Sequence, residues 1–149
     1  MALARILVVE DSEDWRKLIV CLLREVPSFE IVGEASDGVH AIQMAGEMQP
    51  TVVLLDIGLP RLNGIQAGAW ILKVAPGAKI IFVSQEFDRD LIDAAMEIGA
   101  YGFVLKSDAG EALIPAIRAV IRDEKFMSDG LVRYLFVSRS KERIIRRNP

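Results

Sequence analysis

A five-fold alternation constrains this chain more than any other feature. Short apolar runs at residues 6–9, 29–32, 52–55, 80–83 and 103–105 are separated by stretches with helical spacing, such as Trp15, Leu18, Ile19, Leu22 and Leu23. A second such stretch holds Val39, Ile42 and Ala45, and a third Leu91, Ile92, Ala95 and Met96. Runs one, three and four are almost unbroken Val, Ile and Leu, the pattern of strands buried on both faces of a parallel sheet. Helices must then cover both faces, so the expectation is a doubly wound α/β fold in one domain. Pro50, Pro76-Gly77 and Gly99 each fall just ahead of the next strand as stop signals. Asp108 with Glu111 reads as a capping box for the fifth helix. Pro115 inside that helix removes a hydrogen bond at a cost of about 3 kcal/mol, which predicts a kink or loosened first turns.

Composition excludes several classes of function. No apolar run approaches the roughly 18 residues of a membrane span, and residues 1–9 lack a cleavable signal pattern, so the cytosol is the expected compartment and no membrane is expected as partner. Cys21 is the only cysteine and is expected to pack within a helix; it permits neither an intrachain disulfide nor a thiolate metal site. His40 is the only histidine, which removes Ser-His-Asp and zinc-histidine mechanisms unless it carries them alone. Trp15 and Trp70 are expected to pack helices. The net charge of −3 hides an asymmetry: residues 126–149 hold 2 acids and 6 bases. Arg139, Lys141, Arg143, Arg146 and Arg147 make that end a solvated helix end or a contact for nucleic acid or an acidic partner.

In a doubly wound sheet the functional crevice lies at the carboxyl ends of the strands. Glu10 and Asp11 follow the first run, Asp56 the third, Ser84 the fourth and Lys106 the fifth. Three carboxylates gathered at one edge repel one another unless a cation neutralises them. All-oxygen ligation selects a hard ion, and Mg²⁺ shared by Glu10, Asp11, Asp56 and the backbone carbonyl of Gly58 is the natural expectation. Asp56 then becomes a nucleophile toward phosphorus, forming an acyl phosphate, with the Lys106 ammonium and the Ser84 hydroxyl engaging phosphoryl oxygens.

The sequence resembles the receiver domains of bacterial two-component response regulators. The matching segments are Ile6-Leu-Val-Val-Glu-Asp-Ser12, Val53-Leu-Leu-Asp-Ile-Gly-Leu-Pro-Arg-Leu-Asn-Gly-Ile65, Ile80-Ile-Phe-Val-Ser-Gln85 and Gly99-Ala-Tyr-Gly-Phe-Val-Leu-Lys106. The resemblance implies a flavodoxin-like, CheY-like (βα)5 fold of five parallel strands in the order 2-1-3-4-5. It implies phosphorylation of Asp56 by a sensor histidine kinase or phosphotransfer protein, Asp11 as a direct Mg²⁺ ligand and Glu10 as a water-mediated one. Lys106 and Ser84 take the catalytic positions, and Phe103 is the switch aromatic whose ring turns into the space that Ser84 vacates on moving toward the phosphoryl group. Ser107 replaces the proline that often follows the lysine, leaving the isomer of the 106–107 bond open. The wording around Lys106-Ser-Asp, Ser84-Gln85 and residues 117–128 is similar to receivers of the NarL/FixJ subfamily, whose output is a LuxR-type helix-turn-helix. The expected organisation is a receiver domain over residues 1–125 and a linker-like basic tail over 126–149, too short for that output. Self-association, and DNA contact through the tail or an absent output domain, complete the expected partners.

Taken singly these residues have plainer readings. Glu10 and Asp11 cap helices in many loops, Asp56 opens turns, Lys106 suits a surface, Phe103 suits a core, and Gly64 serves a helix start by backbone freedom. Their joint order at successive strand ends is what favours the switch. Two other classes compete. An aspartate-nucleophile phosphatase is expected to carry a second aspartate two residues after the first, where this chain has Gly58; a flavodoxin-like cofactor binder needs a glycine-rich phosphate loop, where this chain has Glu10-Asp-Ser-Glu-Asp14.

Overall fold

The computed structural model describes residues 3–137. Parallel strands β1 (Ala4–Val9), β2 (Phe29–Ala35), β3 (Val52–Asp56), β4 (Lys79–Ser84) and β5 (Gly102–Leu105) alternate with helices α1 (Glu13–Arg24), α2 (Gly38–Met48), α3 (Gly64–Val74), α4 (Arg89–Glu97) and α5 (Ala109–Ile121). The order expected from the resemblance is present and extended by one strand, giving β2-β1-β3-β4-β5-β6. The addition, β6 (Phe126–Met127), pairs parallel to β5, with Gly102 opposite Phe126 and Phe103 opposite Met127. Two residues are too short a run to register as a strand by pattern.

Burial follows the sequence pattern. Every residue of β3 and β5 is buried, whereas edge strand β2 is buried fully only at Phe29 and Ala35. One apolar cluster lies under α1 and α5 and centres on Ile6, Leu54, Leu113 and Ile117. The other lies under α2, α3 and α4 and contains Leu55, Ile71, Phe82 and Phe103. Four helices start with a polar cap just beyond a strand: Ser12, Asp37, Asn63 and Asp88 accept from Trp15 N, His40 N, Gln66 N and Leu91 N.

Several local expectations are corrected. Cys21 lies exposed on the water side of α1, and Trp70 is 52% exposed on α3, its ring beneath the Lys73 ammonium rather than between helices. The Asp108 side chain does not cap α5; it accepts instead from the backbone N–H of Gly130 at 3.1 Å. Helix α5 runs unbroken through Pro115. Pro115 and Glu111, four residues before it, are both exposed, so the carbonyl left without an intrahelical donor lies on the water-facing side. No peptide bond among the described residues is cis, the 106–107 bond included.

Beyond β6 the chain turns into a helical segment, residues 129–137, that lies against the body. Leu131 is fully buried in the cluster that holds Phe103. Arg139, Lys141, Arg143, Arg146 and Arg147 lie outside the described residues. No helix among the described residues is long and apolar enough to cross a membrane.

Candidate functional site

Glu10 is fixed at the end of β1 by its own backbone: its N–H donates to the Ala35 carbonyl at 3.0 Å, and its carbonyl accepts from Arg16 Nη1 at 2.9 Å. Ser12 caps α1, which frees the two acids before it from that duty. The Glu10 side chain is 1% exposed, with Oε2 accepting from Ser12 N at 3.1 Å. Asp11 stands exposed at the mouth. Asp56, the last residue of β3, is 6% exposed and its Oδ1 accepts from the Gly58 N–H at 3.2 Å.

Lys106 follows β5 and lies across the same edge, 8% exposed. Its Nζ is 2.6 Å from Glu10 Oε1 and 3.6 Å from Asp56 Oδ2. The Trp15 ring lies over the ammonium, 5.3 Å from its centroid. Beyond this ion pair, Glu10 Oε1 has no further partner. Burial pushes the Glu10 carboxyl up to about 7 against the downward pull of Lys106 and the Ser12 N–H, and the nearby Asp56 carboxylate adds to the rise.

Glu10, Asp11 and Asp56 each place a carboxylate oxygen within 4.8 Å of the other two. Three carboxylates gathered against the Lys106 ammonium leave an oxygen-lined edge of net negative charge, which fits a hard divalent cation. The structure therefore brings together every charged side chain nominated by sequence at this edge. An open cleft of about 790 Å³ spreads over them, with Asp11, Asp56, Ser84 and Lys106 in its wall and Glu10 beneath. Gly58 also lines the cleft. The Ser84 hydroxyl donates to the Glu86 carbonyl, away from the acids. Phe103 is wholly buried, its ring 6.2 Å from that of Phe82.

Sequence reasoning missed two supports. Gly64 does not serve by backbone freedom, since a Cβ there would meet Asp56 O at 2.2 Å and Ile57 Cα at 2.5 Å; it lets α3 abut the backbone of the Asp56 loop, and its N–H donates to Ile57 O at 2.8 Å. The Asn63-Gly64 pair was a visible signal, but the contact across the loop was not. Phe87, at the cleft rim, is the other.

Comparison with known proteins agrees with this geometry. The family model for the response regulator receiver domain matches residues 6–118. The transcriptional regulatory protein LiaR of Bacillus subtilis is 32% identical over 80% of this chain and 57% of its own length. The chemotaxis protein CheY of Thermotoga maritima is 31% identical over 78% of this chain and 96% of its own. A LuxR-family two-component response regulator from Aurantimonas sp. SI85-9A1 superposes with a TM-score of 0.87 at 29% identity, over 93% of this chain and 99% of that one. The chain spans between 49% and 61% of the length of the first regulators it matches.

Proposed function

The chain belongs to the response regulator receiver domain family, and from that premise we propose that it is a phospho-accepting switch whose acceptor is Asp56. The observation that carries this reading is the convergence of Asp56, Glu10, Asp11 and Lys106 on one cleft.

A carboxylate oxygen of Asp56 attacks phosphorus as the P–N bond of a kinase's or phosphotransfer protein's phosphohistidine breaks; the imidazole leaves with the bonding pair, and a mixed anhydride forms on Asp56. Glu10, Asp11, Asp56 and the Gly58 carbonyl would hold Mg²⁺, which supplies positive charge to the phosphoryl oxygens when bound. Lys106 adds a compact charge for a phosphoryl oxygen, and Ser84 exchanges the Glu86 carbonyl for another. Phe103 follows Ser84, changing the surface beside α4 and β5. Hydrolysis of the anhydride by water, which cleaves the P–O bond, returns the carboxylate. The chain thus catalyses only its own phosphorylation and dephosphorylation, with no turnover of a separate substrate.

The cytoplasm, where ATP-dependent kinases work, is the compartment this chemistry requires. Relatives named as transcription regulators support a read-out on DNA, through the basic residues after 137 or a domain outside this chain, with self-association as its accompaniment. We place the receiver over residues 1–125 and read the remainder as a basic tail whose first part, residues 126–137, packs back onto it through β6 and Leu131.

Incubation with a small phosphodonor and Mg²⁺ tests the assignment. Labelling to one phosphoryl group per chain, lost in Asp56→Asn, is expected; undiminished labelling of that variant would refute Asp56 as acceptor.

A further inference from the structure

We propose that the helical segment 129–137 is the element through which the switch is read, docked when Asp56 is bare and loosened at its far half when Asp56 carries phosphate. This rests on the reading of Asp56 as phosphoacceptor, and goes beyond it by naming the responding element and the path to it.

Two sets of contacts tie the segment to the site. At the near end, Ser128 is 1% exposed, its N–H donates to the Phe103 carbonyl at 3.1 Å, and its hydroxyl accepts from Leu105 N at 3.1 Å. The carbonyl of Ser128 receives the N–H groups of Leu131 and Val132, so it opens the helix. Asp108, two residues after Lys106, accepts from Gly130 N and satisfies one of the donors that a helix start leaves unpaired. Leu131 is sunk fully into the core beside these bonds. This end is anchored.

The far end rests on the cleft loop and on the core beneath it, against which Phe87, Tyr134 and Leu135 all pack. Tyr134 meets Phe87 edge to face, with ring centroids 4.9 Å apart and planes at 86°. Phe87 lines the phosphoryl cleft and follows Glu86, whose carbonyl is held by the Ser84 hydroxyl. That hydroxyl is therefore one tie on the loop that presents Phe87 to Tyr134. A phosphoryl group on Asp56 offers Ser84 a charged acceptor, and charge-assisted hydrogen bonds are about twice as strong as neutral ones. Once Ser84 leaves Glu86, the loop loses that tie, Phe87 is freer to shift on the core, and its edge-to-face contact with Tyr134 weakens. The near end, held by bonds to β5 and by Leu131, stays. Reciprocity follows: if phosphate disfavours the Tyr134–Phe87 contact, removing that contact must favour phosphate by the same factor.

Amide hydrogen exchange of the full chain, with and without Mg²⁺ and beryllofluoride as the phosphoryl mimic, reads this directly. Faster exchange over residues 133–137, with the Phe126 and Ser128 amides unchanged, is expected. Tyr134→Ala should show the fast exchange without the mimic and bind the mimic at least about fivefold more tightly, the lower end of typical couplings between sites. Tyr134→Phe keeps the ring and should behave as the parent does. A response at residues 84–88 and 106 with none over 133–137, or an unchanged mimic affinity in Tyr134→Ala, overturns the inference and leaves the receiver reading standing. No response at residues 84–88 and 106 overturns both.

Discussion

The Lys106 ammonium lies closer to Glu10, at 2.6 Å from Oε1, than to Asp56, at 3.6 Å from Oδ2. The lysine is thus committed chiefly to the buried acid beside the phosphoacceptor. A cation that satisfies Glu10 releases the lysine for an incoming phosphoryl oxygen. Metal binding and lysine availability are linked through one carboxylate.

That linkage predicts a pH dependence of known sign. Burial raises the Glu10 carboxyl from 4.5 to about 7, so between those values the native protein holds a proton that the unfolded chain has released. The contribution is complete below pH 4.5 and is lost as pH rises through about 7. Urea unfolding in chelator should show stability falling across this window, and Glu10→Gln should flatten the fall. The stabilisation given by Mg²⁺ should grow over the same range, because proton and cation compete for Glu10. A flat profile in both proteins contradicts the assignment.

Gly64→Ala tests the close approach of α3 to the Asp56 loop. The added Cβ meets backbone atoms of Asp56 and Ile57, which cannot swing aside, and overpacking of this kind costs about 1–3 kcal/mol. Phosphodonor labelling should fall with it, because the loop carrying Asp56 must shift. Gly33→Ala is the control: its nearest neighbour is the flexible end of Met44, and the loss in unfolding free energy should be smaller than for Gly64.

Ser128→Ala should cost about 1–3 kcal/mol, the penalty for leaving the buried Leu105 N–H without its acceptor. Denaturant unfolding measures it. A loss below a few tenths would mean that water replaces the hydroxyl.

Trp15 should report metal binding optically, because its ring lies over Lys106. In a Trp70→Phe background, which removes the exposed second indole, Mg²⁺ should change the fluorescence saturably, and Glu10→Gln should weaken the response. Unchanged emission at saturating Mg²⁺ contradicts release of the lysine.

The sheet was legible because strands buried on both faces must be written in Val, Ile and Leu, a local property of residues 6–9, 52–55 and 80–83. The site was legible because its side chains follow strand ends, which a doubly wound sheet gathers by topology. What escaped were relationships between distant segments. Asp108 with Glu111 has the local form of a capping box, yet its carboxylate serves Gly130, whose position depends on β6 pairing with β5. Cys21 and Trp70 carry apolar side chains at helical positions, and which side of a helix faces water depends on how its neighbours pack. The rise in the Glu10 pKa is likewise a consequence of three-dimensional burial, invisible in the Glu10-Asp11 pair itself.

The most direct measurement is chemical localisation of the phosphoryl group. After exposure to a small phosphodonor with Mg²⁺, borohydride reduces an aspartyl phosphate to homoserine, and peptide mass spectrometry locates it. The account predicts homoserine at position 56 alone, formed with Mg²⁺ and absent in chelator. Homoserine at another aspartate, or equal conversion at position 56 without divalent cation, would contradict it.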